Sequence, residues 1–147
     1  MSAERPTLEK TIYVDAPPDV LFPFFTDPEK MARWCGEEAE LRPEPGGLFR
    51  LRFAGGVVSE GRYMVVDPPR RVVFTAGMTG SAVPIGGSTV EVDLVPEGEG
   101  TLLTLRHVGF DPAQPVSDGW DHHLGRLRRA ACGEVLEPDR FVAELDG

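Results

Sequence analysis

Val116-Ser117-Asp118-Gly119-Trp120-Asp121-His122-His123-Leu124-Gly125-Arg126-Leu127-Arg128-Arg129-Ala130-Ala131-Cys132-Gly133-Glu134-Val135 is the stretch whose periodicity decides the fold. Val116, Trp120, Leu124, Leu127, Ala131 and Val135 recur at steps of three and four, which places them on one stripe of an α-helix. Ser117 suits the N-cap, His122, Arg126 and Arg129 point away from the stripe, and His123 lies on its flank. The spacing predicts a helix of about twenty residues, about 30 Å long, with one face that must be buried. Such a helix is long enough to cross a twisted sheet and close its concave side.

The sheet is written upstream. Thr7 to Val14 mixes β-branched and charged residues and stops at Ala16-Pro17-Pro18, because proline cannot donate to a ladder. Asp19 can cap a short helix carrying Val20, Leu21, Phe24 and Phe25, limited by Pro23; Asp27-Pro28 starts a second, with Met31 and Trp34 before Gly36. The period then changes to two. Phe49, Leu51 and Phe53 share a face opposite Arg50 and Arg52, and further strands follow across Val57 to Asp67, Arg71 to Ala76, Thr89 to Val95 and Thr101 to Val108. Gly55-Gly56, Pro68-Pro69 and Pro96 to Gly100 mark turns, and Gly77 to Gly87 reads as a longer loop. Counting a weak strand from Ala39, six strands follow the two short helices. The expected architecture is α+β, an antiparallel sheet of about seven strands curved around the C-terminal helix. One domain is expected over residues 1–147, with a core at 7–136 and a tail at 137–147.

Composition narrows the function classes. Fifteen basic against 24 acidic residues give a net charge of −9, which argues against nucleic acid and anionic membranes as partners. No window approaches the ~20 apolar residues of a membrane span, and the first residues lack a signal-peptide core. The two cysteines, Cys35 and Cys132, form no CxxC motif, so a reducing, cytoplasmic setting is expected. The glycine doublets fall at turns and do not make a nucleotide-binding loop, GxSxG is absent, and His107, His122 and His123 are too few and too divergent for a metal. No cofactor, metal or catalytic residue is therefore assigned.

What remains is the inner surface, where Trp34, Phe49, Leu51, Phe53, Tyr63, Phe74, Val92, Leu103, Leu105, Trp120, Leu124 and Leu127 converge in this fold. Core and cavity walls obey the same periodicity, so this set fits either a solid core or a ligand pocket. His107 ends the inward series Leu103, Leu105, His107 and is the main polar candidate to contact a ligand; a satisfied structural role is the alternative. His123 could face the cavity mouth or solvent, and Tyr63 could point either way because Tyr63-Met64-Val65-Val66 does not alternate cleanly.

Several segments together carry a resemblance to a known family. They are Ile12-Tyr13-Val14-Asp15-Ala16-Pro17 with Val20 and Phe24, Trp34, Gly46-Gly47-Leu48-Phe49, Val66-Asp67-Pro68-Pro69-Arg70-Arg71-Val72-Val73-Phe74-Thr75, Leu103-Thr104-Leu105-Arg106-His107, and Gly119-Trp120. Over roughly Leu8 to Leu136 the chain resembles the helix-grip fold of the START-like or SRPBCC superfamily. Within it, the chain is similar to the family of the C-terminal domain of the activator of heat-shock-protein-90 ATPase. Ala76 departs from the pattern, since many relatives have tryptophan there, which implies a more open pocket wall. The activator's N-terminal chaperone-binding domain has no counterpart in these 147 residues. The resemblance implies a cavity for an apolar or aromatic small molecule lined by the residues above. It also implies a chaperone as an alternative partner, and a homodimer is a further possible assembly. For some superfamily members it implies cyclase or hydrolase chemistry, with His107 as acid or base.

Overall fold

The computed structural model describes residues 7–77, 86–109 and 116–137. Most of the expected loop at Gly77 to Gly87 and nearly all of the 137–147 tail lie outside the described residues. Strand β1 (Thr7–Val14) is followed by α1 (Pro18–Leu21), a 3-10 turn (Phe22–Phe25) and α2 (Pro28–Trp34). Then come β2 (Glu38–Leu41), β3 (Leu48–Arg52), β4 (Val58–Asp67), β5 (Arg71–Ala76), β6 (Ser88–Glu97) and β7 (Gly100–Val108), and last α3 (Val116–Ala131). The strands form one antiparallel sheet in the order β1-β7-β6-β5-β4-β3-β2. The α+β helix-grip expectation holds, including six strands after the short helices.

Register explains which side chains face the helix. Leu8, Lys10, Ile12 and Val14 of β1 stand opposite His107, Leu105, Leu103 and Thr101 of β7, and these in turn face Val90, Val92, Leu94 and Pro96 of β6. The alternate positions form the outer face, where Arg71 holds Asp93 at 2.8 and 2.9 Å and Glu91 at 3.1 Å. Between Tyr63 and Val65 the β4–β5 register slips, the bulge behind the broken alternation of that run. Gly61 marks a close approach in β4: a Cβ there would lie 1.9 Å from the Thr75 carbonyl oxygen.

The short helices follow from their prolines. Asp27 caps α2, accepting from the Glu29 amide at 2.9 Å, with Pro28 in the first turn. Asp19 is no cap; Pro17 precedes α1, no side chain bonds its amides, and Asp19 sits in the first turn where a negative charge favours the helix dipole. Pro23 keeps Phe22–Phe25 irregular, so the carbonyls of Phe24 and Phe25 need other donors. Trp34 Nε1 donates to the first at 2.9 Å and Tyr63 Oη to the second at 2.6 Å.

Helix α3 is 16 residues long, shorter than the sequence predicts, and Val135 is 95% exposed beyond it. The stop is a Schellman motif. Gly133 takes φ +89°, its amide bonds the Ala130 carbonyl at 3.0 Å, and the Glu134 amide reaches back to Arg129 at 3.1 Å. Ala-Cys-Gly was thus a stop signal that the apolar spacing to Val135 overrode. The helix begins at Val116, so Ser117 lies in its first turn.

Candidate functional site

The residues expected to line a pocket divide into two groups along the gap between α3 and the sheet. At the end nearer α2, Phe49 stacks on Phe74 with centroids 3.9 Å apart, Tyr63 meets Phe49 edge-on at 5.4 Å, and Trp34 meets Phe25 in the same way at 5.4 Å. Tyr63, Val92, Leu103, Leu105 and Leu127 are 0% exposed, and Trp34 and Leu124 are 2% exposed. Burial pushes the Tyr63 phenol above its usual range. Its hydroxyl is anchored on Phe25, so Tyr63 points inward.

Arg126 belongs to this end. The apolar stripe places it on the solvent side, but it is 7% exposed. Its guanidinium donates to the carbonyls of Trp34 and Arg33, both at 3.3 Å, and of Glu137 at 2.9 Å. The carbonyls that close α2 have no partner within their own helix, and Arg126 supplies the donors. Because α3 packs on α2 as well as the sheet, its buried arc is wider than one stripe. Ala130 is buried for the same reason. Beside Arg126 lies a separate cleft of about 590 Å³, bordered by Ala32, Arg33, Glu134 and Leu136, which no periodicity or motif points to.

The other group surrounds the first turns of α3. Trp120 and His107 are partly buried, and Trp120 Nε1 donates to His107 Nδ1 at 3.0 Å. An indole N–H only donates, so Nδ1 carries the lone pair and neutral His107 is protonated on Nε2. Nε2 lies 2.9 Å from Ser88 Oγ, whose hydroxyl bonds the Ala76 carbonyl at 2.7 Å. The chain Trp120, His107, Ser88, Ala76 thus runs in one donor direction from helix to sheet. Burial lowers the His107 pKa to about 4, which keeps the ring neutral at physiological pH. His123 is buried at 7% exposure and faces inward, 5.7 Å from the Phe53 ring and 6.1 Å from Trp120. Ser88 lies two residues before Val90, the register partner of His107, so it meets the histidine diagonally on the same face; strand register sets this, and periodicity alone does not.

Among the described residues, no three His, Cys, Asp or Glu side chains converge as metal ligands. No described helix is long and apolar enough to cross a membrane. Leu51 is buried on β3 beside this set, at 5% exposure.

A curved antiparallel sheet gripping a C-terminal helix defines a helix-grip protein of the START-like type. Residues 15–131 match the model of the family described as "Activator of Hsp90 ATPase homolog 1-like protein", and the chain belongs to that family. An AHSA1-like protein from Rhizobium etli is 41% identical, with 96% of this chain and 91% of that one covered and a TM-score of 0.72. An HSP90 activator from Plasmodium falciparum is 26% identical, with coverage of 82% and 92% and a TM-score of 0.70. DynU16, a protein of the dynemicin biosynthetic locus, shares the fold at 23% identity and a TM-score of 0.76; the match covers 91% of this chain and 50% of that one. No curated protein matches the sequence.

Proposed function

We propose that residues 7–136 form one START-like domain that binds an apolar or aromatic small molecule between the sheet and the first turns of α3. The observation that carries this reading is the Trp120–His107–Ser88 chain. It fixes two partly buried ring systems by hydrogen bonds beneath the first turns of α3. Apolar walls with a few oriented polar groups are the usual make-up of a small-molecule site. His107 is in this reading a positioning residue, since its ring nitrogens serve Trp120 and Ser88 and its basicity is depressed. The gene-cluster setting of DynU16 is in keeping with a small-molecule role.

A thermal-shift screen of hydrophobic and aromatic compounds tests the proposal. A ligand at a hundred times its Kd adds about 2.7 kcal/mol of stability, a Tm rise of several degrees. A crystal structure in which side chains fill the space under Trp120, leaving room for no more than a water, overturns it. A second reading, a chaperone-interaction module, rests on the family and on the Plasmodium activator. It fails if the purified protein neither binds Hsp90 nor changes its ATPase turnover.

A further inference from the structure

The inner face of the sheet carries one Lys, Arg, Asp or Glu side chain among its described residues, and that is Lys10. Its neighbours on that face of β1 are Leu8 and Ile12, and its register partner is Leu105. Leu8 stands opposite His107, so Lys10 lies on the same face one diagonal step from the histidine. The Lys10 side chain is 19% exposed, and its Nζ is 2.7 Å from Asp121 Oδ1 on α3. Asp121 directly follows Trp120 and is 64% exposed. A partly buried ammonium at the rim of an apolar gap is thus held by a carboxylate that retains most of its access to water. Such a carboxylate leaves at little cost, because exposed ion pairs contribute about 0 to 1 kcal/mol.

We infer that the ligand of the proposed pocket is an apolar acid, whose carboxylate pairs with Lys10 in place of Asp121 while its hydrocarbon or aromatic part lies against Trp120. This rests on the small-molecule reading and adds the class of ligand and the residue that selects it. In a low-dielectric rim a charge-assisted hydrogen bond is roughly twice as strong as a neutral one. An acid should therefore bind about tenfold more tightly than the amide of the same shape.

Isothermal titration of the full chain with 2-naphthylacetic acid and 2-naphthylacetamide, and with lauric acid and lauramide, tests the inference. The expected result is an acid-to-amide affinity ratio of about ten that falls to about one in Lys10→Met. Asp121→Asn, which removes the competing carboxylate and leaves Lys10 in place, should widen the ratio severalfold. A ratio of one in the unmodified protein overturns the inference and leaves the pocket standing. Binding of neither acids nor amides overturns both. An edge-strand lysine that only blocks pairing between sheets would show self-association of Lys10→Met with the ratio intact, which also overturns the inference. Lys10→Gln provides a second neutral variant should Lys10→Met fail to fold.

Discussion

The two halves of α3 lie over different floors. In the second half Leu127 is wholly buried, and Arg126, the one buried charge among the described residues, is spent on backbone carbonyls of α2. Beneath Trp120 the contacts are a directed hydrogen-bond chain and edge-on rings about 6 Å apart, and both Trp120 and His107 keep some exposure. A single helix can thus hold the fold together with one half and leave the other half to function. Stability should concentrate at the Leu127 end, and sensitivity to ligands and pH at the Trp120 end.

The sharpest way to break this division is Leu127→Ala. Leu127 is 0% exposed, so truncation should cost about 3 to 4 kcal/mol, read as a lower midpoint in urea at unchanged slope. A loss below about 1 kcal/mol would show that the Leu127 end is loosely filled.

The pH dependence comes next. An imidazole titrates near 6.5 when unfolded and near 4 here, so between those values the unfolded chain takes up a proton that the folded chain refuses. Stability supplied by the neutral ring is complete above pH 6.5 and is lost as pH falls toward 4. The loss is about 2 kcal/mol after allowance for the partial exposure of the ring. Denaturation midpoints compared across pH 7 to 4 should show this slope in the native protein and not in His107→Gln.

Tyr63→Phe should cost about 1 to 2 kcal/mol, because the buried Phe25 carbonyl loses its donor. Ligand-induced Tm shifts should survive that change. Trp120→Phe has the smallest expected effect on stability, about 1 kcal/mol for the lost indole bond, and should nonetheless abolish most of the ligand-induced shift. If Tyr63→Phe removes the ligand response and Trp120→Phe does not, the two ends have been assigned in reverse.

Most of the framework was legible in the residues. Period-two runs located the strands because an antiparallel sheet with one covered face alternates, and the Thr7 to Val14 and Arg71 to Ala76 bounds agree with β1 and β5. The Asp27-Pro28 start of α2 was legible because cap chemistry is local. Arg126 was not, since its partners on α2 are 92 and 93 positions away and become available only when α2 lies beside α3. His123 stays open between cavity mouth and solvent in the sequence, because a residue on the flank of a stripe turns inward or outward according to what the helix packs against; here it is buried. The Trp120–His107 bond joins a helix residue to a strand residue across the gap. Its ends are apparent from periodicity, but their meeting depends on the crossing of helix over sheet.

One consequence of the strand order concerns the time course of folding. The hydroxyls of Thr11 in β1 and Thr104 in β7 meet at 3.3 Å across 93 positions of chain, and the Ala16 carbonyl waits for the hydroxyl of Thr101. Among the described residues β1 has β7 as its one sheet neighbour, so it pairs after the whole meander has formed. Contacts that close such long loops slow folding, with millisecond-to-second times typical of sheets dominated by distant pairings. During synthesis the opening strand must stay unpaired until the last one leaves the ribosome. The alternating charges Glu9 and Lys10 beside Leu8 and Thr11 suit a segment that must remain dispersed over that interval.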